Sequence, residues 1–161
     1  MKRFLKFLHT LAAIGLTGAL ATYIILLGTA PEPSSLAEYA AVRQGIAAVG
    51  TWLLLPSLLV VLSSGLLSIA AHRPFLEARW AWVKALLGLA MFEGTLMGIQ
   101  GPAEHAVSIT GKALAGDIDP ARVPDLLHDE WRTLWFILAL AVANVALAIW
   151  RPGLRKTQLA E

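Results

Sequence analysis

Three stretches of the sequence contain no Asp, Glu, Lys or Arg, and each is about as long as a membrane span requires. They cover residues 7–31, 44–71 and 133–150. A fourth stretch, residues 80–100, is apolar apart from Lys84 and Glu93. About 20 apolar residues cross the hydrocarbon core of a bilayer as an α-helix, and no alternation of polar and apolar residues predicts a strand. The sequence therefore predicts an all-α membrane protein with four transmembrane helices.

The predicted fold is one membrane four-helix bundle that takes up the whole chain, residues 1–161. Its helices are expected at about residues 4–28, 44–71, 80–100 and 131–151. The first span is longer than the apolar part of a signal peptide, so we expect it to be retained as a helix. Residues 101–132 are predicted to form an outer loop of about 32 residues between the third and fourth helices. Within that loop, PAEHAVSITGKALA is expected to form a short helix at the membrane surface.

The Lys and Arg residues are distributed unequally between the two ends of the predicted spans. If the N-terminus is cytoplasmic, nine of the 13 basic residues lie on the cytoplasmic side and four lie outside. Because basic residues concentrate on the cytoplasmic side of membrane proteins, both termini are predicted to be cytoplasmic. The chain is thus predicted to be a multi-pass protein of the bacterial inner (plasma) membrane, with the lipid bilayer as a partner.

Two features of the composition limit the chemistry. The net charge of +2 is explained by membrane orientation, so it does not indicate a nucleic-acid partner. The chain has no cysteine, which excludes disulfides, iron–sulfur clusters and thiolate chemistry. The functional hypotheses therefore depend on the ionisable and polar residues of the spans and of the outer loop.

Three ionisable residues lie within the predicted spans: His9, Lys84 and Glu93. Such residues are costly in hydrocarbon, which makes each one a candidate functional residue. His9 and Lys84 lie at a similar depth, because the first and third helices run in the same direction. A neutral imidazole is a good ligand for haem iron, and Lys84 is placed to pair with a haem propionate or an anionic substrate. The alternative is that both side chains reach the cytoplasmic interface and bind no ligand.

Glu93 lies half a turn out of phase with Lys84 and about 13 Å farther along the predicted helix. An unpaired carboxylate at this depth is unfavourable, so we expect Glu93 to be protonated or to bond to Thr51, Asn144 or a partner subunit. Two interpretations of such a residue stay open. Glu93 is either part of a structural polar cluster, or it carries protons or binds a quinone.

The predicted outer loop contains weaker candidates for metal ligands, namely Glu104, His105 and His128. Imidazole and carboxylate groups are suitable ligands for divalent metals. The spacing of these residues matches no recognised ligand motif, and acidic outer loops are usually just solvated. Metal binding at the outer face is therefore a secondary hypothesis.

The segment LKFLHTLAAIGLTGAL, residues 5–20, resembles the first helix of a group of small bacterial four-helix membrane proteins. This group includes the HemJ-type protoporphyrinogen oxidases, the CopD-type copper-resistance membrane domains and related families of unknown function. The shared feature is a Lys-x-x-His entry followed by small residues, matched here by Lys6 and His9. The segment WAWVK, residues 80–84, resembles the opening of the third helix in HemJ-type proteins and contains Lys84.

The resemblance implies that His9 binds the iron of a b-type haem and that Lys84 matches the third-helix lysine of the group. We therefore expect a haem-binding membrane protein that supports electron or proton transfer, with Lys84 and Glu93 as candidate catalytic residues. A quinone or a porphyrin would be the small-molecule partner, and the protein would form a homo-oligomer or join a larger membrane complex. Two alternatives stay open: a non-enzymatic accessory or assembly subunit, and a small metal-handling membrane protein. The sequence leaves undecided whether the protein is an enzyme.

Overall fold

The computed structural model describes residues 2–32, 35–71, 73–127 and 130–150. In these residues all regular secondary structure is helical. Four helices are long and apolar enough to cross a membrane: Arg3–Gly28, Leu36–Ala70, Arg79–Leu114 and Pro120–Trp150. The prediction of an all-helical chain with four candidate transmembrane helices is therefore confirmed.

The helical segments are numbered in chain order. The first half of the chain forms α1 (Lys2–Gly28), α2 (Leu36–Val49), α3 (Leu55–Ala70) and α4 (Arg73–Leu76). The second half forms α5 (Arg79–Thr95), α6 (Gly101–Leu114), α7 (Val123–Leu126) and α8 (Trp131–Trp150). One π-helical turn, Gly50–Leu54, joins α2 to α3, and another, Leu96–Gln100, joins α5 to α6. The predicted helix boundaries near residues 44 and 100 therefore lie inside longer, continuous helices.

Each π-helical turn lies just before a proline. The two prolines are Pro56 and Pro102. Proline has no N–H to donate, and its ring collides with the carbonyl group four residues earlier in an α-helix. In the first turn the N–H of Leu55 bonds to the carbonyl of Gly50, and in the second the N–H of Gly101 bonds to that of Leu96. The wider π-helical turn thus carries each helix past its proline without ending it.

The predicted outer loop of about 32 residues is replaced by a helix over much of its length, because α6 continues the third span to Leu114. Only residues 115–130 connect α6 to α8, and they include α7. The physical reason is packing. Small and apolar residues of α6, such as Ala103, Ala106 and Ile109, are buried, and α6 lies against α2.

The long helices pack in a closed ring in the order α1, α3, α5 and α8. Glycines mark the close approaches in this ring. A Cβ atom on Gly15 would lie 2.7 Å from the hydroxyl oxygen of Ser57, and a Cβ atom on Gly98 would lie 2.5 Å from the side chain of Thr133. Since lipid supplies no hydrophobic force between helices, small residues that allow this approach are the usual basis of packing in membranes.

The centre of the ring is an apolar core that separates two polar clusters. Its buried members include Leu16, Leu20, Leu54, Leu58, Met91, Leu134 and Ile137. On the N-terminal side of this core, α1 and α5 contribute His9 and Lys84. On the other side, buried polar residues of α1, α2 and the start of α8 form the second cluster.

The two continuous helices that contain α2 and α6, Leu36–Ala70 and Arg79–Leu114, are longer than a bilayer requires. The helix from Arg79 to Leu114 has 36 residues, which corresponds to about 54 Å at 1.5 Å per residue. The hydrocarbon core of a bilayer is only about 30 Å thick. A helix of this length that stands upright is therefore too long to lie wholly within that core.

Candidate functional site

The imidazole ring of His9 is oriented by two groups of α3. Its Nδ1 atom lies 3.0 Å from the carbonyl oxygen of Val61 and 2.9 Å from the hydroxyl oxygen of Ser64. The Ser64 hydroxyl itself donates to the carbonyl of Val60 at 2.5 Å, so it accepts from the imidazole. Because a carbonyl oxygen can only accept, Nδ1 must carry a proton. In the neutral imidazole this leaves Nε2 with the lone pair that a metal ligand needs.

The His9 ring lies next to a small residue of α3, Gly65. The Cε1 atom of His9 lies 3.5 Å from the position that a Cβ atom on Gly65 would occupy. A side chain at residue 65 would extend towards the Nδ1–Cε1 edge of the ring. The sequence placed His9 in a surface of small residues on α1, and the structure adds Ser64 and Gly65 of α3 to that environment.

The structure brings Lys84 close enough to His9 for their charges to interact. Lys84 is half-buried on α5, and it also makes a contact of its own within the bundle. The two residues that the sequence placed at one depth therefore lie together in space. This inner cluster, consisting of His9, Ser64 and Lys84, joins three of the four long helices.

An apolar cleft of about 170 Å³ lies next to the inner cluster, between α1 and α3. Its walls are mainly leucine side chains, and Ser64 contributes to both the cleft and the hydrogen bond with His9. Pockets that enclose a cofactor usually measure about 300–1,000 Å³. The inner cluster thus offers a nitrogen that could bind haem iron, whereas the cleft, which His9 itself does not line, is too small to enclose a macrocycle.

The second polar cluster is centred on Glu130, which opens α8 and is only 3% exposed. One oxygen of its carboxylate accepts a hydrogen bond from the guanidinium group of Arg43, which is equally buried. The other oxygen accepts from the Tyr23 hydroxyl at 2.5 Å. This outer cluster, Tyr23, Arg43 and Glu130, connects α1, α2 and α8. Its charges are paired inside the protein, as a buried ion pair must be.

A third polar contact joins the two π-helical turns. The amide nitrogen of Gln100 donates to the hydroxyl oxygen of Thr51 and to the carboxylate of Glu104, both at 2.7 Å. The amide oxygen of Gln100 packs directly on Gly50, where any Cβ atom would overlap it. The Gln100 amide therefore lies between the first π-helical turn and α6.

Sequence reasoning missed the outer cluster, because Arg43 and Glu130 lie just outside the predicted spans and Tyr23 was not singled out. One signal was present in the sequence. Tyr39, Arg43 and Ile46 are spaced by four and three residues, which places them on one face of a helix. All three are buried on α2. An arginine on an otherwise apolar helical face predicts a buried acidic partner, and Glu130 is that partner.

The structure places Glu93 differently from the sequence-based expectation. Its side chain is exposed on the outer surface of the bundle, whereas the neighbouring Met91 and Thr95 are buried. Two residues correspond to a rotation of about 200° around a helix, which turns Glu93 away from the core. The predicted hydrogen bonds to Thr51 and Asn144 are therefore not formed. Thr51 bonds to Gln100, and the Asn144 amide lies 3.7 Å from the sulfur of Met91.

The predicted metal ligands of the outer face do not form a cluster among the described residues. Glu104 accepts from Gln100, and His105 is exposed and has a contact of its own. His128 lies outside the described residues. In the part of the chain that the structure describes, no group of three or more His, Asp or Glu side chains is placed to hold a metal ion.

Comparison with known proteins gives no family assignment. The chain matches no family model, no curated protein and no solved structure. The resemblance of residues 5–20 and 80–84 to HemJ-type and CopD-type proteins therefore stays a prediction.

Proposed function

We propose that the protein is a multi-pass protein of the bacterial inner membrane that binds a b-type haem through His9 and supports electron transfer. The observation that carries this proposal is the pair of hydrogen bonds from Nδ1 of His9 to Val61 and Ser64. Histidines that bind metals usually donate their second ring N–H to a carbonyl oxygen or a similar acceptor, which fixes the ring and its tautomer. A bound haem would supply one-electron chemistry.

The residues of the inner cluster have separate roles in this proposal. His9 provides the axial nitrogen, and Val61 and Ser64 hold its ring in place. Lys84 brings a positive charge beside the imidazole, where it favours an anionic group such as a propionate. The distribution of basic residues favours cytoplasmic termini, which would place this site in the cytoplasmic half of the bilayer.

A haem titration tests the proposal. We expect the purified protein in detergent micelles to bind added haemin with one saturating change in the Soret absorbance per chain. His9→Ala should lose this change, because it removes the axial nitrogen. His105→Ala is the matched control, since it removes an exposed histidine of α6 and should titrate like the wild type. Equal binding by wild type and His9→Ala would contradict the proposal.

A second candidate function is a non-enzymatic accessory or assembly subunit of a larger membrane complex. The observation that favours it is the size of the cleft beside His9, about 170 Å³, which does not enclose a porphyrin. In this case the buried polar clusters act only in holding the four helices together. A colourless protein that co-purifies with a larger complex from solubilised membranes would support this candidate, and a haem-containing protein would support the first.

A further inference from the structure

Glu93 occupies the middle of an outward-facing stripe of α5. The stripe is defined by Trp82, Leu86, Leu89, Ala90, Glu93 and Met97, all of them exposed on the bundle surface. Glu93 is its one ionisable member and lies about 21 Å from the start of α5, at 1.5 Å of rise per residue. With Trp80 near the membrane interface, this distance places the carboxyl group well inside the hydrocarbon core.

An outward-facing acid at this depth is unfavourable in a single bundle. Ionisable side chains within membranes almost always face the interior of a bundle or a water-filled cavity, because lipid offers no hydrogen-bonding partner. Arg43 and Glu130 follow this rule, since both are buried and pair with each other inside the protein. Glu93 departs from it. A group that can hydrogen-bond to a carboxyl must therefore cover the α5 stripe when the protein is in the bilayer.

A second copy of this chain supplies such a group without any further component. A protonated carboxyl is both a donor and an acceptor, so two of them can form a reciprocal pair. Two copies inserted in the same direction and related by a two-fold axis place Glu93 opposite Glu93 at the same depth. The rest of the stripe is apolar, and Ala90, one turn away, allows the two α5 helices to approach closely.

We propose that the protein forms a homodimer through the α5 stripe, with the two Glu93 side chains hydrogen-bonded as neutral carboxylic acids at its centre. This interface lies diagonally across the ring from α1, which carries His9. The proposal therefore stands or fails independently of haem binding.

The absence of cysteine from the sequence makes a cross-linking test simple, since each introduced cysteine is the only one. We expect Met97→Cys, on the stripe and 76% exposed, to form a disulfide-linked dimer in native membranes treated with an oxidant. Ile25→Cys is the matched control, because Ile25 is 62% exposed at a similar depth on α1, which lies diagonally across the ring. It should give little cross-linking. Equal cross-linking at both positions, or a Met97→Cys adduct with a foreign protein, would overturn the proposal.

Changes at Glu93 in the Met97→Cys background test the role of the carboxyl. Glu93→Leu should raise the dissociation constant of the dimer about tenfold, in line with the modest strength of hydrogen bonds between helices in membranes. Glu93→Gln should retain the dimer, because an amide is also both donor and acceptor. Glu77→Leu, the same change at an exposed glutamate outside the spans, should have no effect. A Glu93→Leu dimer as tight as the wild type would overturn the proposal, and the cross-linking of the Gln variant guards against a simple folding defect.

Discussion

The carboxylate of Glu130 is held by donors from two other helices, Arg43 and Tyr23. A buried ion pair of this kind adds little net stability over an apolar pair of similar shape. Its removal has a larger effect, because the partner that is left behind is a buried charge without a counter-ion. The outer cluster is therefore the place where a single substitution should affect the stability of the bundle most.

We expect Glu130→Ala to lower the free energy of unfolding by about 3–5 kcal/mol, because Arg43 is then buried and unpaired. The measurement is unfolding of the purified protein in detergent micelles. Glu38→Ala, at an exposed position of α2, is the control and should change little. The double variant Arg43→Met with Glu130→Leu should lose less free energy of unfolding than Arg43→Met alone and Glu130→Leu alone lose together. Additive losses would show that the pair is not coupled.

At the level of single residues, the sequence predicted that His9 and Lys84 lie at one depth, and in the structure the charge of Lys84 is near enough to act on the imidazole of His9. The sequence did not predict the orientation of Glu93 or the partner of Arg43. Depth along a helix can be counted from one sequence, but the direction of a side chain also depends on where the core lies. For α5 the core side follows from packing against α3 and α8, which no local pattern of this apolar helix reveals.

At the level of elements, the existence of the four spans was predictable and two of their boundaries were not. A proline usually marks the end or a kink of a helix. Pro56 and Pro102 instead follow π-helical turns, so α2 continues into α3 and α5 continues into α6. The long helices then bring Gln100 against Gly50, a contact between residues far apart in the sequence.

Two glycines of the same helical stretch should respond in opposite ways to substitution by alanine, because only one of them lies in the contact between the π-helical turns. Gly50→Ala should destabilise the protein by about 1–3 kcal/mol, because the new methyl group overlaps the Gln100 amide. Gly45→Ala, earlier in the same helical stretch, meets no atom within 4 Å and should instead stabilise by up to about 1 kcal/mol through helix propensity. Thermal unfolding of the two variants side by side measures the difference. Equal stabilities would mean that the turns do not pack as described.

At the level of the whole molecule, charge and helix length have different origins. By sequence, the basic residues concentrate at the end that is predicted to be cytoplasmic, and in the structure the third span continues to Leu114 as α6. The first feature follows from counting residues in the sequence. The second depends on α6 packing against α2 over Ala103 and Ala106, which requires contacts between distant segments.

The predicted orientation can be measured with reporter fusions. A fusion after Leu114, at the end of α6, should report the outside of the cytoplasm, and a fusion at Glu161 should report the cytoplasm. A cytoplasmic signal after Leu114 would mean that the real orientation is the reverse of the predicted one. The inner cluster around His9 would then lie in the outer half of the bilayer.

The central claim is that His9 binds the iron of a b-type haem, and the haem content of His9→Ala tests it most directly. The wild-type protein and the variant would be purified from the same membranes, and their reduced-minus-oxidised absorbance spectra compared per mole of protein. The wild type should show the bands of a b-type haem, and His9→Ala should lose them while it keeps the helical content of the wild type. A His9→Ala protein with the full wild-type spectrum, or a wild-type protein without haem bands, would contradict the assignment of His9 as the ligand.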